Sequence, residues 1–233
     1  MKYDVLILST YELKVIWLTL KVAFISTAVA VPVSTYIAWI LARKKFPGKN
    51  VIEGLITLPL VAPPVVTGYM LLLVFGSNGI IGKWLSESLN IRLSFNFAAM
   101  VIASVVVATP LAVRSIKTSF ELIDPEYEKA SMTLGASRLY TFFRISLPLA
   151  LPGILSGMVL VFARSLGEFG ATITFAGNIQ GKTQTISQLV YTDMQIPGKE
   201  NEVARLVIIS LVISILAVII SEFYNNKRKY LVK

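Results

Sequence analysis

The chain has 233 residues, of which 55% are hydrophobic and only 15% charged, and its mean hydropathy of +0.72 predicts an integral membrane protein rather than a soluble domain. The net charge of +9 does not indicate nucleic-acid binding, because the basic residues cluster at the ends of apolar segments. The chain has no Cys and no His, which excludes disulfides, a thiolate nucleophile, a Ser-His-Asp triad and the usual zinc and haem sites.

The first apolar segment, 15–42, is long enough to cross a bilayer with some tilt. Residues 1–14 are mixed in polarity, and we interpret them as an interfacial lead-in without a cleavable signal peptide. Pro32 predicts a kink in the middle of the segment. The tight basic turn that follows, 43–49, marks the cytoplasmic side, because cytoplasmic loops carry an excess of Lys and Arg.

The second predicted span, 51–75, contains Pro59, Pro63 and Pro64. Prolines at this spacing cannot keep an unbroken helical hydrogen-bond ladder, so part of the segment must unwind where protein or a water-filled cavity covers it. A kinked scaffold helix and a segment that lines a transport pathway both fit this pattern.

In the third predicted span, 95–116, Thr109-Pro110 predicts a break in the helical hydrogen-bond ladder near the inner half. Arg114 and Lys117 follow at its cytoplasmic end.

A polar stretch, 124–148, separates the third span from the fourth. Asp124 followed by Pro125 is a helix start signal, and Gly135 is a stop signal, so we predict a helix over 125–136. One face of this helix carries small residues and a leucine, which suits docking in a groove of another protein. That face consists of Tyr127, Ala130, Ser131 and Leu134.

The fourth predicted span, 145–166, leads into a stretch with ionisable residues at membrane depth. Arg164 and Glu168 are four residues apart, so on a helix they would form an ion pair on one face. Such residues are functional candidates because burying a charge in a membrane is costly.

The last predicted span, 205–224, ends in a basic tail, whereas the semi-polar segment 183–196 is too short to span. Thirteen of the 22 Lys and Arg residues lie in the 43–50 turn, the 114–144 loop and this tail. Five spans with the N-terminus outside and the C-terminus inside satisfy this pattern. A sixth span at 183–196 would put the basic tail outside, so we reject it.

The sequence offers two kinds of polar chemistry outside the 124–148 stretch. Hydroxyl side chains beside the Pro and Gly breaks, together with Arg164, could bind an oxyanion, or the hydroxyls could satisfy neighbouring backbone carbonyls. These hydroxyls belong to Thr67, Thr109, Ser165 and Thr172. The segment 177–183 imitates a phosphate-binding loop, but it has three residues between its glycines instead of four, so we do not predict nucleotide binding.

Several stretches resemble known families. The spacing from Ala130-Ser131 through Gly135 to Leu147-Pro148 resembles the EAA loop of ABC-transporter permeases, the cytoplasmic helix that docks on the ATPase subunit. Lys129 stands at the strict Glu position of that motif, Glu128 lies one residue earlier, and the second Ala is a Ser here. Beyond this loop, the chain is similar to molybdate ABC-transporter permeases at 42–49, 58–69 and 162–175.

The resemblance implies an all-α integral membrane protein, with the whole chain, 1–233, forming one transmembrane domain of the type I ABC importer kind. It also implies a homodimer in membrane lipid, a dimer of ABC ATPase subunits, and an external molybdate-binding protein. The permease itself would need no cofactor or metal and would have no catalytic residue.

Two sets of residues follow from the resemblance and from the patterns above. The residues expected to couple transport to the ATPase are Glu128, Ala130, Ser131, Leu134, Gly135 and Arg138. The residues expected along the translocation pathway are Thr67, Thr109, Arg164, Ser165, Glu168 and Thr172. The alternatives are a permease for tungstate, sulfate or thiosulfate, and a passive channel or membrane scaffold without an ATPase.

Overall fold

The computed structural model describes residues 8–229, and every regular element in that range is helical. A π-helical segment, Phe142–Ser146, lies between two short α-helices, Arg138–Thr141 and Leu147–Leu149. The α-helices are α1 (Thr10–Arg43), α2 (Lys49–Val61), α3 (Pro64–Phe75), α4 (Ile80–Leu89), α5 (Phe97–Glu121), α6 (Pro125–Thr133), α7 (Arg138–Thr141), α8 (Leu147–Leu149), α9 (Leu151–Leu166), α10 (Gly170–Phe175), α11 (Ile186–Asp193) and α12 (Glu200–Lys229).

Helix α1 begins at Thr10, five residues before the predicted span, because its N-terminus has a capping box. The Ser9 hydroxyl accepts a hydrogen bond from the Glu12 backbone N–H at 3.1 Å, and the Glu12 carboxylate accepts one from the Ser9 N–H at 2.7 Å. Residues 10–14 are therefore part of α1 and not a lead-in separate from it. Pro32 lies inside the helix, which continues to Arg43 as a single element.

The core of the bundle lies between α1, α5 and α9. Small residues at the contact let these helices approach closely, as is usual where lipid gives no hydrophobic drive between helices. A Cβ at Gly153 would lie 2.0 Å from the Ser119 hydroxyl oxygen, and one at Gly157 would lie 3.1 Å from the Ile116 side chain. Gly153 and Gly157, one helical turn apart on α9, therefore serve the packing of α9 on α5.

The second predicted span is two helices and not one. Helices α2 and α3 are bent by 116° at a break that contains Pro63, whose ring cannot donate to the helical ladder. Helix α3 packs on α10, where a Cβ at Gly68 would lie 2.6 Å from the Ala171 carbonyl oxygen. Helix α2 has no buried residue, and it contacts the rest of the chain on one side only, where Ile56 packs on the core and Glu53 pairs with Lys117 of α5.

The other predicted spans differ from the helices in their ends and bends. Helices 138–149 and 151–166 are bent by 69°, which divides the predicted 145–166 span. Helix α5 begins at Phe97, where the Asn96 side chain caps it, and continues past 116 to Glu121. Helix α12 runs from Glu200 to Lys229 and so exceeds the predicted 205–224 at both ends.

Within residues 8–229, two helices, α1 and α5, are each long and apolar enough to cross a membrane, and the two bent pairs bring the number to four if each is one span. The five-span topology and its orientation stay predictions.

Candidate functional site: a coupling helix and a polar pathway

Helix α6 corresponds to the helix that the sequence predicts over 125–136, and its two ends are set by local chemistry. The Asp124 carboxylate accepts a hydrogen bond from the Glu126 N–H at 2.9 Å, and Pro125 occupies the first helical position. At the other end, Gly135 has φ +89°, and the Ala136 N–H reaches the Ser131 carbonyl at 3.1 Å. This C-terminal turn is a Schellman motif, which ends the helix at Thr133 and makes it shorter than the predicted 125–136.

One face of α6 and its C-terminal turn line an open groove of about 720 Å³. Leu134 is 89% exposed and Tyr127 is 60% exposed, so apolar surface faces outward on a polar loop. The groove-lining residues are Tyr127, Ala130, Ser131, Leu134, Gly135, Ala136, Ser137, Tyr140 and Ile145. An exposed apolar groove beside a short helix is suited to docking a partner protein.

Not every residue predicted for coupling faces away from the chain. Ala130, Leu134, Gly135 and Arg138 are exposed. Ser131 is buried at the base of the groove, and its hydroxyl oxygen lies 3.0 Å from that of Thr141, which joins α6 to α7.

Glu128 does not line the groove and instead contacts its own chain. Its Oε1 atom accepts hydrogen bonds from Arg43 Nε at 3.0 Å and from the Ser146 hydroxyl at 2.7 Å. Arg43 Nη2 also donates to the Ile123 carbonyl at 3.0 Å. Sequence reasoning missed the roles of Arg43 and Ser146, because Arg43 was identified there only as part of a cytoplasmic basic turn.

The outer face of α6 carries a local ion pair. Lys129 Nζ lies 2.7 Å from Glu126 Oε1, and the hydrogen bond and charge of Glu126 raise the pKa of Lys129. Both side chains are well exposed, so this pair contributes little to stability.

The ion pair predicted between Arg164 and Glu168 is present. Arg164 Nη1 lies 2.7 Å from Glu168 Oε2, and Glu168 is only 2% exposed. Glu168 Oε1 also accepts a hydrogen bond from the Ala171 N–H at 2.8 Å, at the start of α10. This carboxylate therefore fixes the junction between α9 and α10.

The hydroxyls predicted for the pathway fall into two groups. The Thr109 hydroxyl donates to the Val105 carbonyl at 2.6 Å, so it satisfies a backbone carbonyl of its own helix. Thr67, Ser165 and Thr172 are buried, and their hydroxyl oxygens have no hydrogen-bond partner among residues 8–229. Because these three side chains are enclosed, contact with a transported anion would require α3, α9 and α10 to repack.

The loop that imitates a phosphate-binding loop uses its polar groups internally. The Thr183 hydroxyl accepts from the Ile179 N–H at 3.0 Å and donates to the Gly177 carbonyl at 3.2 Å. Gln188 Nε2 donates to the same carbonyl at 3.1 Å. In the described part of the chain, no group of three or more acidic side chains is placed to hold a metal ion.

A second polar cluster joins the beginning of α1 to α11 and α12. Glu12 Oε1 lies 2.6 Å from Arg205 Nη2, and both side chains are nearly buried. The Tyr11 hydroxyl donates to Gln184 Oε1. Lys199 Nζ lies 2.7 Å from Asp193 Oδ1, and this hydrogen bond raises the pKa of Lys199. The first and last helices are therefore tied together at this end of the bundle.

Three comparisons relate this architecture to known proteins. Residues 30–230 match the model of the family described as binding-protein-dependent transport system inner membrane component. The molybdenum transport system permease protein ModB of Haemophilus influenzae is 49% identical over 216 residues, which cover 93% of this chain and 94% of the relative. The ModB protein of Escherichia coli is 46% identical over 218 residues, with 94% and 95% covered. The sulfate transport system permease protein CysT of Escherichia coli is 37% identical over 177 residues, with 76% and 64% covered.

Solved structures share the fold at low sequence identity. A bacterial ABC transporter that imports the acidic polysaccharide alginate matches with a TM-score of 0.75 at 16% identity, covering 97% of this chain and 84% of that one. The inward-facing MetNI methionine ABC transporter matches with a TM-score of 0.70 at 13% identity, covering 94% and 99%. The all-helical fold is thus that of ABC importer permeases. The chain belongs to the family of binding-protein-dependent transport system inner membrane components.

Proposed function

We propose that this chain is the permease subunit of an ABC importer that carries the molybdate oxyanion across the inner membrane. The observation that carries the proposal is the similarity to two molybdenum permeases, at 49% and 46% identity. Each alignment covers nearly the whole of this chain and of the relative. The chain performs no covalent chemistry in this proposal. A separate ATPase subunit hydrolyses ATP, and an external binding protein delivers the anion.

The groove beside α6 is the proposed docking site of the ATPase. Its open position, its exposed Leu134 and its small residues Ala130 and Gly135 leave room for a partner surface. Closure of an ATPase dimer would push α6 and change the packing of the helices behind it. A five-span topology with an outside N-terminus and an inside C-terminus would place α6 in the cytoplasm.

A second copy of the chain would complete the proposed pathway. Helix α2 has no buried residue, and the broken segment that it forms with α3 needs cover for its freed backbone groups within a membrane. In a homodimer, the Arg164–Glu168 pair and the buried hydroxyls of Thr67, Ser165 and Thr172 would lie near the moving helices. The three hydroxyls are neutral donors, which would bind an oxyanion weakly enough to release it.

Reconstitution tests this function directly. The chain is purified with its ATPase, inserted into lipid vesicles, and supplied with candidate binding proteins and labelled molybdate. We expect uptake that requires ATP and ATP hydrolysis that the loaded binding protein stimulates. Conduction of the anion without the ATPase would instead indicate a channel.

Sulfate is the second candidate substrate, because the chain is also 37% identical to a sulfate permease over 76% of its length. Competition by unlabelled tungstate, sulfate and thiosulfate against labelled molybdate separates these substrates. Stronger competition by sulfate than by molybdate would reassign the substrate and leave the permease role intact.

A further inference from the structure

The carboxylate of Glu128 joins three separate elements of the chain. It is carried by α6, it pairs with Arg43 at the last residue of α1, and it accepts a hydrogen bond from Ser146 at the end of the π-helical segment that leads to α8 and α9. The exposed fractions of the Arg43 and Glu128 side chains are 14% and 17%, so the pair is largely withdrawn from water. Such a pair holds its geometry better than an exposed one.

We propose that Arg43 is a positioning residue that links the coupling helix to α1, so that a displacement of α6 moves the first helix of the bundle. This inference rests on the proposed function, because it describes how ATP-driven motion reaches the pathway. The Arg43 guanidinium contacts both the Glu128 carboxylate and the Ile123 carbonyl, one on α6 and one just before it. It therefore holds the start of the coupling helix at two points.

A different contact keeps α6 folded and attached when Arg43 is changed. The buried hydroxyls of Ser131 and Thr141, 3.0 Å apart, join α6 to α7, and the Schellman turn at Gly135 closes the helix end. Neither contact involves α1. Loss of Arg43 should therefore leave the helix and its docking groove in place while it disconnects them from α1.

Aromatic rings from α1, α5 and the π-helical segment pack together next to Glu128 and hold this region in place. The Phe142 ring, at the start of the π-helical segment, contacts the Trp39 ring of α1 with centroids 5.0 Å apart, and the Phe120 ring of α5 at 6.5 Å. π-helical segments are rare and frequently occur at functional positions. Here the segment places Ser146, which is buried, within hydrogen-bond distance of Glu128.

The experiment compares Arg43→Gln with Lys45→Gln in the reconstituted complex of permease, ATPase and binding protein. Lys45 lies two residues further in the same basic turn and is exposed, so its substitution removes the same charge without touching Glu128. The measured quantity is molybdate transported per ATP hydrolysed. We expect Arg43→Gln to lower this ratio about 5-fold or more, the usual range of a coupling free energy, while ATP hydrolysis continues. Lys45→Gln should keep the wild-type ratio.

Two further variants separate positioning from a structural role. The double variant Arg43→Gln with Glu128→Gln should lose no more coupling than Arg43→Gln alone, because Arg43→Gln already removes the ion pair. Arg43→Lys keeps the charge but loses the planar fork, and it should recover part of the ratio. A purely structural role would lower uptake and ATP hydrolysis together, in proportion to the complex that assembles.

The result that overturns the proposal is a wild-type ratio in Arg43→Gln, or a fall in which uptake and hydrolysis remain proportional. If Arg43→Gln does not assemble, Glu128→Gln decides, because it removes the charge that pairs with Arg43 and keeps an oxygen that can accept from Ser146. It should lower the ratio in the same direction, and an unchanged ratio overturns the link. Failure of the proposed function itself looks different, because the wild-type complex would then transport no molybdate.

Discussion

At the scale of single residues, Gly135 has a conformation that other residues adopt with strain. Its φ of +89° lies in the left-handed region, and a Cβ built there would meet nothing within 4 Å. Any other residue at this position is therefore disfavoured by backbone strain and not by lack of space. A side chain added at Gly135 would extend into the groove proposed for the ATPase.

Substitution Gly135→Leu should uncouple ATP hydrolysis from uptake and leave membrane insertion intact. The backbone strain costs about 1–2 kcal/mol, which is too little to unfold the bundle, while the leucine obstructs the docking groove. Uptake, hydrolysis and the amount of inserted protein are measured in parallel. Gly198→Leu is the matched control, because Gly198 has φ +88° and open space but lies far from α6 in the chain. Normal uptake by Gly135→Leu would contradict the docking role.

At the scale of secondary-structure elements, the local features of the fold were predictable and the long-range ones were not. The helix start at Asp124-Pro125, the stop at Gly135 and the Arg164–Glu168 pair each depend on residues a few positions apart. The Arg43–Glu128 contact joins residues 85 positions apart, and the sequence carries no signal for it. Helical periodicity assigned residues to a common face of α6, but it could not tell which face turns toward the bundle, so the inward position of Glu128 was missed.

The contact between α3 and α10 requires glycine, and this gives a prediction for the broken segment. Gly68→Val would place a Cβ 2.6 Å from the Ala171 carbonyl oxygen, a backbone atom that cannot move aside easily. We expect the free energy of unfolding to fall by about 1–3 kcal/mol. Thermal unfolding in detergent measures the change. Gly54→Val, on the exposed side of α2, has nothing within 4 Å of its Cβ and should have a much smaller effect. Equal effects of the two substitutions would show that the close contact is unimportant.

At the scale of the whole molecule, composition was sufficient to predict a helical membrane protein, while the course of the chain through the bilayer depends on charge counting. The basic residues of the 43–50 turn and the 114–144 loop predict that both lie in the cytoplasm. The α2–α3 segment affects the number of membrane crossings, because its bend of 116° fits two arrangements. A broken span crosses the membrane, whereas a re-entrant loop returns to the side from which it entered.

Single-cysteine labelling tests the orientation. The chain has no Cys, so each introduced thiol is the only one to react. We expect Ala130→Cys to react with an impermeant maleimide only after the membrane is opened, and Gln180→Cys to react in intact cells. The unsubstituted chain should not react at all. Labelling of residue 130 from outside would rule out contact with a cytoplasmic ATPase.

The Glu12–Arg205 pair closes the bundle between its first and last helices, and its loss should be costly. Glu12→Gln removes the charge that pairs with the nearly buried Arg205 guanidinium, and we expect the free energy of unfolding to fall by about 1.5–3 kcal/mol, the usual worth of a hydrogen bond to a charged group. Thermal unfolding should register this loss. The control is Lys83→Gln, in an exposed pair with Glu87, where we expect a change below about 1 kcal/mol. Similar losses for both variants would indicate that burial of the pair does not matter.

Helix α1 is held near both of its termini, by Arg43 at one and by Glu12 at the other. Its 34 residues amount to roughly 51 Å at 1.5 Å per residue, which exceeds the hydrocarbon thickness of a bilayer. In the predicted five-span topology, α1 joins the two membrane faces without an intervening loop. A single movement of α1 would then open the pathway on one side of the membrane and close it on the other.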